Sequence, residues 1–283
     1  MFAPAAFYIL ALVAGPFILA VFYAFSDARI GGSTDLHFVG LENFRSILQS
    51  PSFRKALLNS CVFTIVSQII VIICSTALSV ALEKKFRGRG LIRFLILLPF
   101  VVPISLGAIA WKWILDPLYS VISWVLVALH IYKPYSAPMW LGEPGLAMAS
   151  VILAHCWRLI PFSTVIMLAG LTSIPKDIPE AAAVDGAGFW RILFQINIPM
   201  LIPIISVAVL FGTIFTFTDM AVVYILTNGG PYDSTQTLPT LAFNIGIQGA
   251  DLAAGAAISL FLVPVLVVIA YFMLRVAHRT EVA

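Results

Sequence analysis

Two ionisable side chains, Arg158 and Asp219, lie inside otherwise apolar stretches of this sequence. A charge in hydrocarbon is costly, so such a group usually faces a cavity or an opposite charge. In one interpretation the guanidinium and the carboxylate pair with each other and hold two helices together. In the other, both line a path through the protein and offer hydrogen bonds to a polar ligand. Both interpretations are compatible with the residue types.

A stripe of residues spaced three and four apart includes Asp219 and consists of Gly212, Phe215, Thr216 and Asp219. This spacing places the four on one face of a helix. An aromatic ring beside polar groups suits a sugar, whose CH face stacks on rings while its hydroxyl groups need hydrogen-bond partners. A stripe that packs against another helix has a similar composition, and that alternative stays open.

The elements that carry these residues are predicted to cross a lipid bilayer. The chain has 283 residues, of which 61% are hydrophobic and 10% are charged, whereas soluble domains carry about a quarter charged residues. A spanning helix needs about 20 apolar residues. The runs of sufficient length are 3–25, 57–82, 91–113, 146–171, 200–226 and 253–274. The sequence therefore predicts an all-α integral membrane protein with six transmembrane helices in a single domain, residues 1–283.

The first apolar run is predicted to be a retained helix rather than a cleaved signal peptide. It is longer than a usual h-region, it has no basic n-region, and it contains no evident small-residue cleavage site. We therefore count it among the six spans.

Basic residues favour one orientation of these spans. With the N-terminus inside, the basic residues of the cytoplasmic segments are Lys84, Lys85, Arg87, Arg89, Arg93, Lys176, Arg191, Arg275 and Arg279. Those of the outer segments are fewer, namely Arg29, Arg45, Arg54, Lys55 and Lys133. Cytoplasmic loops are enriched in Lys and Arg, so this bias predicts that both termini are cytoplasmic.

The predicted outer segments comprise residues 26–56, 114–145 and 227–252. The middle segment contains an amphipathic stretch from Leu118 to Ile131, which is expected to lie at the membrane interface. A seventh span at this stretch is the main alternative.

The cytoplasmic connection between the fourth and fifth spans, residues 172–199, is long for a loop between packed helices. Its proline and alanines predict a short helix at Pro179–Val184. Asp185 and Gly186 form a turn signal, and a second short helix is expected from Gly188 to Gln195, before the next span starts at Pro199. The smooth alanine surface suggests close approach by another protein, and a plain interhelical loop is the alternative.

The residues of this loop match a known motif. Glu180-Ala181-Ala182, then Gly186, then nine residues, then Ile196-x-Ile198-Pro199 resembles the EAA loop of ABC importer permeases. In that family the loop is the coupling helix, which docks into a cleft on the ATPase subunit. The resemblance implies that the ATPase contact is formed by Glu180, Ala181, Ala182, Asp185 and Gly186. By this likeness Gly186 supplies the turn and Glu180 a polar or ionic contact.

A second segment, LTNGGPYDSTQTLPTLAF from Leu226, resembles the outer loop of the carbohydrate-permease branch, which includes the maltose and glycerol-3-phosphate permease subunits. With the segment Trp157 to Pro161 and the EAA-like loop, the likeness covers about residues 55–276. It implies the type I ABC importer transmembrane fold, in the cytoplasmic (inner) membrane of a bacterium or archaeon. It also implies a second homologous permease subunit, an ATPase dimer, an extracytoplasmic solute-binding protein and membrane lipid as partners, with no nucleic acid.

The likeness further implies a solute path. The positions that line the sugar site of the similar maltose subunit correspond here to Arg158, Leu159, Phe162, Gly212, Phe215, Thr216 and Asp219. Uncharged residues stand in that subunit at the positions of Arg158 and Asp219, so the cargo is expected to differ from maltose. We expect a sugar, an oligosaccharide or a polyol, and because a guanidinium matches a carboxylate or phosphate, an acidic cargo is one hypothesis.

Enzymatic function is disfavoured by the motifs that the sequence lacks. No G-x-x-x-x-G-K-[ST], H-E-x-x-H or G-x-S-x-G pattern occurs, and the four histidines are scattered. ATP and magnesium are therefore expected on the separate ATPase subunit, with no catalytic residue, cofactor or metal in this chain. Cys61, Cys74 and Cys156 lack metal-binding spacing. An ion-coupled secondary transporter is the alternative function, although such proteins usually contain internal repeats, and no convincing repeat is found here.

Overall fold

The structure of the protein is a computed structural model that describes residues 7–32, 36–133 and 136–281. Within these ranges the regular elements are helical, apart from an isolated β-bridge between Ser26 and Phe38. The helices are, in chain order, α1 (Phe7–Ala24), α2 (Glu42–Gln49), α3 (Pro51–Glu83), α4 (Arg89–Val101), α5 (Ile104–Ile114), α6 (Val121–Ala128), α7 (Pro144–Ser173), α8 (Asp177–Val184), α9 (Phe189–Phe217), α10 (Ala221–Thr227), α11 (Leu238–Phe243, continued by a π turn at Asn244–Gln248) and α12 (Leu252–Glu281).

Five of these helices, α1, α3, α7, α9 and α12, are long and apolar enough to cross a bilayer. Helices α4 and α5 satisfy the same criterion together, so the described residues contain up to six spans when this pair counts as one. The predicted all-α membrane fold is confirmed. The start of the predicted first span, residues 3–6, lies outside the described residues.

The third predicted span, residues 91–113, is not one continuous helix. α4 ends at Val101, α5 begins at Ile104, and the two helices are bent by 94°. The cause is local, because Pro103 disfavours the helical conformation of the residue before it. Val102 is accordingly extended, with ψ at 132°. The third span is therefore a broken helix or a re-entrant loop.

The fifth span also differs from the prediction, because α9 begins before Pro199 rather than at it. The separate short helix predicted at Gly188–Gln195 continues without interruption into the span, and α9 is 29 residues long. A π turn at Leu193–Asn197 precedes Pro199. The regular α-helical hydrogen-bond pattern is therefore already interrupted just before Pro199, which has no N–H to donate. The helix continues through this proline.

At its other end, the fifth span is broken. α9 stops at Phe217, and residues 218–220 separate it from α10. The hydroxyl of Thr218 donates to the carbonyl of Ile214 at 2.7 Å, and Asp219 accepts a backbone hydrogen bond from Val222 at 3.0 Å. Such local side-chain bonds compete with a continuous helix. The predicted helical stripe therefore ends at Thr216, and Asp219 lies in the break.

The interior of the bundle forms around α3 and α7, which make the most extensive helix pair. The side of α3 that is buried carries small polar residues, namely Ser60, Ser67, Ser75 and Ser79. Small side chains let two helices approach closely, as is common in membrane proteins. α9 packs against both helices of this pair, and α10 packs against α5. This arrangement brings the ends of both broken spans next to the middle of α7.

The outer segment after α10 is fastened to the first turns of α3. The side-chain amide of Asn59 donates to the carbonyls of Asp233 and Gln236, at 2.8 and 3.0 Å. The ammonium group of Lys55 donates to the carbonyl of Tyr232. These bonds hold the loop against a spanning helix rather than leaving it free.

The predicted interfacial stretch from Leu118 to Ile131 contains α6, which has eight residues. Eight residues are too few to cross a bilayer, so this helix is not a seventh span. Its first turn is capped by Ser120, whose hydroxyl accepts the N–H of Ser123 at 3.1 Å. Its place at the membrane interface stays a prediction.

Candidate functional site

The EAA-like loop folds as a short helix that stands out from the bundle. α8 begins at Asp177, two residues before the predicted start at Pro179, and it ends at Val184 as predicted. None of its residues is buried, and Val184 is 88% exposed. Pro179 occupies the third rather than the first helical position, which is tolerated because first-turn N–H groups have no partner within a helix. The helix is therefore available for contact with another molecule.

Gly186 ends α8 in a left-handed conformation, with φ at +83°. Its N–H donates to the carbonyl of Ala183 at 3.1 Å, and the N–H of Ala187 donates to the carbonyl of Ala182 at 2.9 Å. These two bonds form a Schellman motif, in which glycine is favoured because other residues are strained at positive φ. A Cβ at position 186 would meet no atom within 4 Å. The requirement for glycine therefore comes from the backbone conformation.

Exposed aromatic side chains continue this surface from α8 onto the start of α9. Phe189, Trp190 and Phe194 are 49, 67 and 59% exposed, and the rings of Trp190 and Phe194 stack with their centres 5.9 Å apart. The Nζ atom of Lys84, just after α3, lies 5.5 Å from the centre of the Phe189 ring. This is the geometry of a cation–π contact. The end of α3 is thus in contact with the segment that follows α8.

A buried polar network joins α7 to the break in the fifth span. Asp219 is its centre, and its Oδ1 accepts the N–H of Val222 at 3.0 Å. Its Oδ2 lies 2.9 Å from Nδ1 of His155 and 3.4 Å from Nη2 of Arg158. His155 is fully buried and Asp219 is 7% exposed. The predicted Arg158–Asp219 pair is present, but His155 is the nearer partner.

The second ring nitrogen of His155 extends this network to α9 and α3. Nε2 lies 2.8 Å from the hydroxyl of Thr216, which is also 2.7 Å from the carbonyl of Gly212. The side-chain amide of Gln68 donates to the same hydroxyl at 3.0 Å. A Cβ at position 212 would lie 2.5 Å from Oε1 of Gln68. Gly212 therefore leaves the space that Gln68 occupies.

The predicted solute-path residues separate into two groups by their burial. Those buried inside this chain are Leu159, Gly212, Thr216 and Asp219. Those that reach its surface, fully or in part, are Arg158, Phe162 and Phe215. A residue enclosed by its own chain has no contact with a solute in this conformation. The geometry thus favours the packing alternative for the buried group.

Phe162 lies one helical turn beyond Arg158 on α7, at the centre of an aromatic cluster. Its ring centre is 5.2 Å from that of Phe100, 5.5 Å from that of Phe215 and 6.4 Å from that of Phe211. Phe211 and Phe215 are 45 and 38% exposed. Ring faces next to a guanidinium group offer both kinds of contact that a polyhydroxylated molecule requires.

Sequence reasoning missed His155 and Gln68. His155 precedes Arg158 by three residues, so both side chains project from the same face of α7. That spacing is the signal that could have identified it, because an imidazole beside an arginine in an apolar helix is costly without a carboxylate partner. Gln68 carries no comparable signal, since its partner Thr216 is distant in the sequence.

Comparison with known families identifies the chain. Residues 43–281 match the family described as binding-protein-dependent transport system inner membrane component. The chain belongs to this family. The matched residues include α8, the turn at Gly186 and the network around Asp219.

Two curated relatives are similar over most of their length. The chain is 34% identical to the trehalose/maltose transport system permease protein MalF of Thermococcus litoralis over 223 residues, which are 79% of this chain and 74% of that protein. It is 30% identical to the trehalose transport system permease protein SugA of Mycobacterium tuberculosis over 274 residues, 96% of this chain and 86% of that protein. Both similarities concern permease proteins of transport systems.

The fold has a counterpart among solved structures. A chain of a bacterial ABC transporter involved in the import of the acidic polysaccharide alginate superposes with a TM-score of 0.83, covering 98% of this chain and 93% of that chain at 22% identity. At this identity the likeness concerns the fold, and the predicted type I importer fold is confirmed. The prediction of an ABC importer permease rather than an enzyme is confirmed as well. Membership of this family also argues against an ion-coupled secondary transporter.

Proposed function

We propose that this permease carries a sugar, an oligosaccharide or a polyol, and that it forms half of the path with a second homologous permease subunit. The observation that carries the proposal is the partly exposed aromatic cluster around Phe162 with Arg158 one turn away. Aromatic faces stack on sugar CH groups, while the guanidinium donates to oxygen atoms. The names of the trehalose and maltose relatives support the same class of cargo.

We propose that an ATPase dimer binds the inner end of the permease, where it contacts α8 and the turn at Gly186. The support is the EAA-like motif on an exposed helix that packs little against its own chain. Within this loop Glu180, Ala181, Ala182, Asp185 and Gly186 are the contact residues. The outer segments, including the loop fastened to α3, receive an extracytoplasmic binding protein loaded with solute.

Both termini are assigned to the cytoplasm of a bacterium or archaeon. The end of the bundle that bears α8 also bears basic residues at the α3–α4 turn, where Arg93 donates to the carbonyl of Leu82 at 3.0 Å and Lys84 contacts Phe189. Positive charge is enriched on the cytoplasmic side of membrane proteins. Labelling of single cysteines introduced at each terminus, from either side of sealed vesicles, tests this orientation.

The cargo is tested by reconstituting the permease with its partner permease, ATPase and binding protein in proteoliposomes. We expect ATPase activity to rise with a sugar or polyol added with the binding protein, and not with an amino acid. If amino acids stimulate and no sugar or polyol does, the proposed cargo is wrong. In either case, the compound that raises the ATPase activity identifies the class of the cargo.

The ATPase contact is tested by Gly186→Val, with Gly188→Val as the matched control. A β-branched residue at positive φ is strained, by about 1 kcal/mol or more, so the turn after α8 changes. Gly188 is extended, with φ at −73°, and tolerates valine. We expect Gly186→Val to abolish solute-stimulated ATPase activity or co-purification of the ATPase, and Gly188→Val to retain both. Equal behaviour of the two variants contradicts the assignment.

A further inference from the structure

The carboxylate of Asp219 has two neighbours that lie near the same oxygen atom. Both lie on one face of α7, where His155 and Arg158 are three residues apart. Nδ1 of His155 lies 2.9 Å from Oδ2, whereas Nη2 of Arg158 lies 3.4 Å from it. Charge-assisted hydrogen bonds between nitrogen and carboxylate oxygen are about 2.7–2.9 Å long. His155 therefore has the good bond, and Arg158 has the weaker one.

His155 is fixed in this place on all sides. It is fully buried, Nε2 is held by Thr216 at 2.8 Å, and its ring packs edge-on against Phe63 with the centres 4.9 Å apart. Because Nδ1 faces a carboxylate, Nδ1 carries a hydrogen atom, and this N–H group donates a hydrogen bond to Asp219. Rotation of the ring would break two hydrogen bonds inside a buried site, so His155 keeps its hydrogen bond to Oδ2.

Arg158 retains a donor without a partner among the described residues. Its Nε is buried and has no hydrogen-bond partner among the described residues, and its side chain is 13% exposed. An arginine fork matches a carboxylate, which accepts two parallel hydrogen bonds. Arg158 is therefore not fully paired within the part of its own chain that the structure describes. The exposed part of its side chain is the part that a ligand can reach.

We infer that His155 is a positioning residue that sets cargo specificity, because it holds Asp219 and leaves Arg158 to bind the carboxylate of an acidic sugar. This inference rests on the proposed sugar transport and deepens it. Without His155, Asp219 pairs fully with Arg158, since opposite charges attract strongly where water is scarce. The guanidinium group of Arg158 is then no longer available to the solute, and the preference for an acidic sugar falls. His155 acts through Asp219 and touches no solute itself.

The test uses the complete importer in proteoliposomes, with ATPase activity stimulated by a uronate trisaccharide or by a neutral trisaccharide. The readout is the ratio of the two half-saturating concentrations, and the binding protein is the same throughout, so changes in the ratio come from the permease. We expect His155→Ala to reduce the preference for the uronate about tenfold, as expected for loss of a charged hydrogen bond. Asp219→Asn is expected to raise the preference for the uronate. The double variant, His155→Ala with Asp219→Asn, is expected to show the same ratio as Asp219→Asn alone.

The control is Ser163→Ala, which removes a buried hydroxyl on the same helix that has no hydrogen-bond partner among the described residues. Its ratio is expected to equal that of the unmodified protein. If His155→Ala weakens stimulation by both trisaccharides equally, or the double variant stays as unselective as His155→Ala, the positioning role is refuted. If His155→Ala fails to assemble, Asp219→Asn decides, and an unchanged ratio refutes the inference.

The two proposals fail in different ways. An unmodified importer that responds to neutral sugars and not to uronates overturns the specificity inference and leaves sugar transport intact. An importer that responds to no sugar and no polyol overturns the proposed function and the inference with it.

Discussion

At the scale of single residues, Gly212 is the point where α9 makes room for the side chain of Gln68. A Cβ there would lie 2.5 Å from Oε1 and 2.9 Å from Nε2 of Gln68. We expect Gly212→Ala to displace Gln68 from Thr216 and to lower the free energy of unfolding by about 1–3 kcal/mol, the usual cost of an overpacked core. Thermal unfolding in detergent, followed by loss of the monodisperse peak, measures this effect.

Gly145 provides the matched control for that substitution, because a Cβ there meets no atom within 4 Å. We expect Gly145→Ala to unfold at the temperature of the unmodified protein. Replacing Gln68 by Ala in the Gly212→Ala background removes the clashing amide, and part of the lost stability is expected to return. A Gly212→Ala protein as stable as the control contradicts the packing role.

The residue scale also marks what the sequence can and cannot predict about the site. Residue types were sufficient to identify Arg158 and Asp219, because charges in apolar helices are rare and need partners. The surroundings of the stripe at Gly212, Phe215, Thr216 and Asp219 are harder to predict. Helical spacing predicts the face of the helix on which a side chain lies, but it does not predict which neighbouring helix encloses that side chain. Burial of Thr216 against His155 and Gln68 depends on contacts between helices that are distant in the sequence.

At the scale of elements, Pro103 is the cause assigned to the bend between α4 and α5. We expect Pro103→Ala to straighten this pair, since alanine no longer restricts Val102 and restores a backbone donor. Pro99→Ala is the control, because Pro99 lies inside α4 without interrupting it. Spin labels at the exposed positions 95 and 113 report the change, and a straighter pair gives a longer distance. An equal distance in both variants contradicts this account.

The same element shows why breaks are hard to predict. Pro161, Pro203 and Pro264 also lie within spans, yet α7, α9 and α12 continue through them. A proline removes one hydrogen bond, and packing against neighbouring helices decides whether the helix continues. The break at Asp219 involves no proline at all. The number, order and approximate limits of the spans follow from apolar run length, whereas their interruptions depend on local bonds and on tertiary contacts.

At the scale of the whole molecule, the outer loop after α10 is held by few bonds, and Asn59 makes two of them. We expect Asn59→Ala to loosen this loop, since each lost hydrogen bond contributes about 0.5–1.5 kcal/mol. Hydrogen exchange is expected to accelerate at residues 232–236 and to stay unchanged in α8. Exposed Gln49→Ala serves as the control. Unaltered exchange in the loop of the Asn59→Ala protein contradicts the fastening role.

The length of α3 has a mechanical consequence. Its 33 residues form one helix without an internal proline, about 50 Å long at 1.5 Å per residue. One end is bonded to the loop around Asp233, and just past the other end Lys84 touches Phe189 beside α8. A helix without an internal break has no hinge between its two ends. The outer loop and the segment beside α8 are therefore joined through a single continuous helix, so we expect a displacement of one to be accompanied by a displacement of the other.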